Sequence, residues 1–132
     1  MWETSGWKDE DLLWASMALY GGIAGQQSGP CGAISSSAVY VGLRHRRSMD
    51  DKEAVSKARL DIEREALQLA KEFASEFGTL TCFDLVGLDL SDPVVRKRFR
   101  DENISKEKCD RYMEFVIDKL YELEETRSAK SE

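Results

Sequence analysis

The stretch DDKEAVSKARLDIEREALQLAKEFASEFG, residues 50–78, decides the fold. Val55, Ala58, Ile62, Ala66, Leu69, Phe73 and Phe77 recur every three or four residues, which lines them up on one face of a helix. Ser48 followed by Asp51 has the spacing of a capping pair, in which an oxygen and an acid satisfy the free amides at a helix start. Gly78 supplies the stop, because glycine takes the left-handed conformation beyond a helix end at little cost. The spacing predicts a helix over about residues 50–77 whose apolar stripe must be buried against other helices.

Working outward, Cys109, Tyr112, Met113, Val116, Leu120 and Leu123 form a second stripe, predicting a helix over 106–125 with Ser105 as N-cap. Upstream, Leu12, Leu13 and Met17, with Trp14 beside them, predict a helix over 9–20. Another starts just after Pro30 and runs to about residue 47. Between these two lies GGIAGQQSG, residues 21–29, a flexible loop by composition. Thr81 and Asp84 open a short helix over 82–86. Ser91-Asp92-Pro93 reads as N-cap then first-turn proline, opening a helix through residue 100. Strand-like alternation is scarce and no Asn-Gly or Asp-Gly hairpin signal occurs. The expected fold is all-α, a compact bundle of about four main helices plus short connecting helices. One domain over residues 1–123 is expected, followed by a charged, frayed tail over 124–132.

Composition narrows the function classes. The 132 residues carry 19 Lys and Arg against 25 Asp and Glu, a net charge of −6, with 42% hydrophobic residues. That is enough apolar material for a core and excludes a wholly disordered chain. The acidic balance argues against nucleic acid as a partner. No apolar run approaches the roughly 18 residues of a membrane span. Met1-Trp2-Glu3 does not begin a signal peptide, so a cytoplasmic location is expected. Three cysteines are too few for a disulfide scaffold, and their number is odd.

Those cysteines are the main candidates for chemistry. Cys31 follows the glycine loop and Pro30 at a predicted helix start, where unpaired amides and the helix dipole favour a thiolate. Cys82 and Cys109 also fall near predicted helix starts. Cys31, Ser35, Ala38 and Gly42 share one helix face, a stripe of small side chains against which a backbone or a bound centre can approach closely. An inert buried cysteine in tight helix packing explains the same pattern. No Cys-x-x-Cys pair is present, so local spacing carries no zinc or iron–sulfur signature, and any shared site must be assembled by the fold. His45 ends a helix within Arg44-His45-Arg46-Arg47, where interaction with the helix C-terminus accounts for it. About four helical turns separate it from Cys31, ~21 Å at ~1.5 Å per residue, which disfavours a joint site. The basic run over residues 96–100 reads as a solvated helix face. The glycine loop allows amides to surround an anion but lacks the Lys-Ser or Lys-Thr of a P-loop, and no strand precedes it. Trp2, Trp7 and Trp14 crowd the N-terminus and suggest an apolar covering group, including across a homodimer interface.

Several segments in order resemble one family. Tyr20-Gly21-Gly22-Ile23-Ala24, Cys31-Gly32-Ala33-Ile34-Ser35-Ser36 and Val41-Gly42-Leu43 resemble the glycine-rich core of the C_GCAxxG_C_C family, small redox-type proteins named for four cysteines. Phe77-Gly78-Thr79-Leu80-Thr81-Cys82 with Asp84-Leu85-Val86-Gly87 resembles its third-cysteine segment, and Cys109 with Tyr112 its fourth. Ser36 stands where the motif has glycine, and the first family cysteine has no counterpart. A divergent short member, or a segment missing upstream, is expected on that ground. The family is similar to the C-terminal part of the split-Soret cytochromes, which combine haems with an iron–sulfur centre. The resemblance therefore implies a redox-active or electron-transfer module with Cys31, Cys82 and Cys109 as redox or metal-binding residues. An iron–sulfur cluster or other metal ion would be the cofactor, and a redox protein the partner. Haem is not implied, since no Cys-x-x-Cys-His occurs. Gly21, Gly22, Gly25, Gly29, Gly32 and Ser35 would form the loop and stripe beside that centre. The competing expectation is a structural or partner-binding helical module without a redox centre.

Overall fold

The computed structural model describes residues 6–130. Its helices are α1 (Asp11–Ser16), continued by a 3-10 turn (Met17–Leu19), α2 (Gly32–Arg44), α3 (Lys52–Phe77), α4 (Cys82–Val86), α5 (Pro93–Asp101) and α6 (Arg111–Lys130). The fold is all-α, with no strand among the described residues beyond one isolated antiparallel bridge, Pro30 with Thr81. The longest helix is the one the 3.6-residue stripe predicts, and it ends at Gly78 with φ +83°. Its cap differs in detail. Asp51, not Ser48, accepts from the Ala54 amide at 2.9 Å, and Ser48 Oγ instead accepts from the Asp50 amide. Asp92 caps α5, accepting from the Val94 amide at 2.7 Å, and Pro93 takes the first helical position.

The interior is built by α2, α3 and α6. Ile34 and Val41 meet Leu69 and Phe73, Leu85, and Tyr112, Val116 and Leu120. Val41 and Phe73 are fully buried. Burial of such side chains contributes about 2–3 kcal/mol each. Phe73, Phe77, Tyr112 and Phe115 pack as tilted and edge-on rings with centroids 4.7–5.9 Å apart. The Tyr112 hydroxyl donates to the Leu85 carbonyl at 2.9 Å, so its polar end is satisfied inside the core. A smaller cluster of Cys82, Val86 and Phe99, backed by Leu88, Leu90, Ile104 and Cys109, joins α4 and α5 to the start of the last helix.

The N-terminal helix is present where the spacing predicts it, as α1 and its 3-10 continuation to Leu19, but it has no buried side chain, and Leu13, Trp14 and Met17 are exposed. One expectation is corrected. Ser105 does not cap the last helix, since it already has helical dihedrals and makes no side-chain cap bond. Instead the chain enters through Asn103, at φ +60°, and passes through a π-helical turn, Lys106–Asp110. Residues 124–130 continue α6, and Glu124 and Arg127 are held there. Arg44 grips Glu124 through two nitrogens, with Nε 2.8 Å from Oε1, and Arg127 Nη1 donates to the same carboxylate. Trp2 lies outside the described residues. Trp7 is spent inside the chain, 5.4 Å from the Tyr40 ring with Arg46 stacked on it.

Candidate functional site

Two of the cysteines are placed by the bridge between the glycine loop and α4. The Cys31 amide donates to the Leu80 carbonyl at 2.7 Å, and the Cys82 amide donates to the Gly29 carbonyl at 3.0 Å. Pro30 and Thr81 stand opposite each other between these bonds. Cys31 and Cys82 are thus diagonal neighbours, and each leads into a helix running away from the bridge: Cys31 caps α2, and Cys82 opens α4. Cys109 reaches the same region from the π-helical turn. A π turn holds an extra residue, which re-aims the side chains that follow, and such turns recur at functional sites.

The glycine loop is what lets these segments meet. Gly21, Gly22, Ile23, Ala24 and Gly25 all have φ between +52° and +85°, a left-handed turn. Its Ile23 and Ala24 cost about 1–2 kcal/mol each in that region, as L-residues. A Cβ on Gly22 would stand 2.7 Å from the Gly29 carbonyl oxygen and 2.9 Å from Cys82 Cβ. A Cβ on Gly32 would stand 3.0 Å from the Leu19 carbonyl oxygen and from Tyr20 Cα. These are the close approaches that the small-residue pattern implied. They occur at Gly22 and Gly32, not at Gly42, which has open space where its Cβ would be. The loop is no anion cradle. Its Ala24, Gly25, Gln26, Gln27 and Gly29 amides all donate to carbonyls of residues 18–23.

Gln27 ties the loop down, and sequence reasoning missed it. It is 3% exposed. Its side-chain amide donates to the Leu88 carbonyl at 3.0 Å, and its oxygen accepts from the Leu90 amide at 2.7 Å. Its own carbonyl accepts from the Phe83 amide. One residue therefore fixes the loop to α4 through its backbone carbonyl and to the segment leading into α5 through its side chain. A polar residue in a polar-looking loop carries no signal of burial.

Cys31, Cys82 and Cys109 all line one cavity of about 800 Å³, open at one side. Its wall also takes Gly21, Gly25 and Gly32, and the α2 face carrying Ala33, Ser36, Ser37 and Tyr40. Gly22 and Gly29 lie behind the cysteine wall, packed on each other. Ser35 turns away, its hydroxyl toward the Cys31 carbonyl at 3.4 Å.

The thiols are electrically coupled but not activated. Burial raises the Cys31 thiol, outweighing the Ala33 and Ile34 amides that would stabilise its thiolate. The expectation that helix starts would depress these pKa values is thereby corrected: loss of water costs the thiolate more than the amides return. Cys82 is raised by burial and then by Cys31. Cys109 is pushed up to about 11, by burial first and then by Cys31 and Cys82. No disulfide joins them. Among the described residues, no group of three Cys, His, Asp or Glu side chains is placed to hold a metal ion. The three sulfurs share a cavity without forming a ligand set, so a metal or cluster does not fit them as they stand.

His45 does not line this cavity. Its Nε2 lies 2.9 Å from Glu65 Oε2 and 2.8 Å from Arg127 Nη2, and Arg127 also pairs with Glu65. Glu65 is 7% exposed on the buried face of α3, between Ile62 and Leu69. Burial alone would raise its carboxyl. The hydrogen bonds and charges of Arg127 and His45 outweigh that and hold it below the usual range. His45 therefore has a structural partner as well as a helix end.

With the cysteines on one wall, the comparison with known families is direct. The sequence pattern of the family described as "Putative redox-active protein (C_GCAxxG_C_C)" matches residues 2–123. This chain belongs to the C_GCAxxG_C_C family. Neither a curated protein nor a solved structure matches it. Among the described residues, no helix is long and apolar enough to cross a membrane.

Proposed function

We propose that this C_GCAxxG_C_C protein is a cytoplasmic redox module whose centre is built from Cys31, Cys82 and Cys109 and which exchanges electrons with a partner protein. The observation that supports it is the convergence of all three cysteines, from separate helices, on one cavity wall within electrostatic range of one another. In its thiol form, Cys31 and Cys82 close to a disulfide by exchange with a partner's disulfide. One thiolate attacks a partner sulfur, the second resolves the mixed disulfide, and the partner leaves with two electrons and two protons as a dithiol. An iron–sulfur or other metal centre, which a set of soft thiolate donors favours, requires the sulfurs to draw closer than they stand. Anaerobic purification, reconstitution with ferrous iron and sulfide, and analysis of iron, zinc, sulfide and free thiols test the reading. The expected result is either a bound centre that is lost in each single Cys→Ser variant, or a Cys31–Cys82 disulfide that is lost in Cys31→Ser and in Cys82→Ser. Metal-free protein with three unchanged thiols in both oxidising and reducing buffer would overturn it.

The apolar side chains that the N-terminal helix leaves exposed, Leu13, Trp14 and Met17, favour a second reading, a helical partner-binding module without a redox centre. On that reading, replacing all three cysteines by serine leaves partner binding intact. The exposed Trp14 is then the natural contact for a second copy, and sedimentation at high concentration showing only monomer rejects that contact.

A further inference from the structure

The cavity has a chemical character that the thiols do not explain. Its volume of about 800 Å³ falls within the roughly 300–1,000 Å³ usual for small-molecule sites. It runs from an exposed mouth at Met17 and Tyr20 down to Val86 and Leu120, which are 2% and 4% exposed. A flat protein surface cannot fill such a recess, whereas a slender apolar molecule can. The chain has 25 Asp and Glu residues, yet none lines this cavity among the described residues. The charged side chains on its wall are Arg96 and Arg100, one turn apart on α5.

The rest of α5 shows that this is selective. Lys97 pairs with Asp101 and Arg98 with Glu102, one turn on in each case. Arg96 and Arg100 have no carboxylate within ion-pair distance among the described residues, and both are exposed. Arg96 Nε donates to the Leu90 carbonyl at 2.7 Å, which braces its guanidinium at the cavity. In a protein of net charge −6, two uncompensated arginines at an apolar recess are complementary to an anion with an apolar body.

We propose that the cavity binds an amphipathic anion, an acyl chain or comparable apolar body lying against the cysteine wall with its carboxylate on Arg96 and Arg100. This goes beyond the redox reading, because it needs the arginines and the apolar wall and no oxidation or metal binding by the thiols.

Calorimetric titration of the full chain with laurate and with dodecyltrimethylammonium, both below their micelle concentrations, tests it. One laurate per chain is expected, bound at least about tenfold more tightly than the cation of equal chain length. Arg100→Gln lowers laurate affinity severalfold, and the Arg96→Gln/Arg100→Gln pair removes the preference for the anion. Ser36→Trp, at an exposed position on the cavity wall, blocks laurate while circular dichroism stays unchanged. The titration is made on fully reduced, metal-free protein, where no redox chemistry takes part, so a failed redox reading leaves this result standing. Equal affinity for anion and cation, affinity indifferent to both arginines, or no binding overturns the proposal. So does a dimer in sedimentation whose interface shuts laurate out.

Discussion

Gly22→Ala should be far more damaging than Gly78→Ala, although both glycines have left-handed backbones. At Gly78, φ is +83° and nothing lies within 4 Å of the added Cβ. The cost there is the left-handed penalty for an L-residue, about 1–2 kcal/mol, less what the stiffer unfolded chain returns, about 0.4–1 kcal/mol. The net loss is about 1 kcal/mol. At Gly22, φ is +59° and the Cβ meets the Gly29 carbonyl oxygen at 2.7 Å and Cys82 Cβ at 2.9 Å. Neither neighbour is the tip of a flexible side chain, so the backbone must move, at a further cost of about 1–3 kcal/mol. The total is about 2–4 kcal/mol. At roughly 4 °C per kcal/mol for a domain of this size, Gly22→Ala lowers Tm by about 8–16 °C and Gly78→Ala by about 4 °C. The assay is urea and thermal unfolding followed by circular dichroism, with thiol-reagent kinetics on the folded protein. Pushing the loop off Cys82 should also speed labelling of that thiol, which Gly78→Ala leaves alone. Equal destabilisation by the two substitutions would refute the close approach of loop and cysteine.

Ala24→Gly relieves a left-handed L-residue in the same loop and is expected to be neutral or to stabilise by up to about 1 kcal/mol, read as a shift in the urea midpoint; a clear loss of stability would speak against the strained turn. Glu65 has a depressed folded pKa, so its pairing stabilises fully above the unfolded carboxyl pKa of about 4.3 and is lost as pH falls through the lower folded value. Glu65→Gln should therefore cost about 2–3 kcal/mol at pH 7 and flatten the stability profile below about pH 5, and an unchanged acid limb contradicts the His45–Glu65–Arg127 cluster. With its thiol pushed up to about 11, Cys109 has a thiolate fraction of only about one in ten thousand at pH 7. Its alkylation should be on the order of a hundredfold slower than a free thiol and rise about tenfold per pH unit through pH 10; a plateau near pH 8.5 would show an unperturbed thiol.

What the sequence makes legible follows from which interactions are local. The α3 stripe from Val55 to Phe77, the Gly78 stop and the Asp92-Pro93 start all depend on residues within a turn or two, and all three appear in the structure. The N-terminal helix is legible from the spacing of Leu12, Leu13 and Met17, but the exposure of Leu13 and Met17 is not, because it depends on how the bundle packs. At the site, the three cysteines and the glycine-rich loop could be marked in advance, because glycine and cysteine carry chemical meaning wherever they fall. Their meeting could not. It depends on a two-residue bridge between positions about fifty residues apart, on a left-handed turn that includes Ile23 and Ala24, and on a π-helical turn at Cys109. Gln27, Glu65 and Arg127 were invisible for a related reason. Each is a polar residue whose burial is repaid by partners distant in sequence. The helix-start argument for low thiol pKa values rested on a local effect that burial then outweighs.

The most direct test of the account is the state of the three thiols as the redox poise changes. Intact protein is held anaerobically in oxidising and in reducing glutathione buffers, labelled with two isotopic forms of one alkylating reagent, and read by mass spectrometry at each cysteine. If Cys31, Cys82 and Cys109 form one centre, at least two of them change protection together and reversibly with the buffer. Three cysteines labelled equally and independently in both buffers would contradict it.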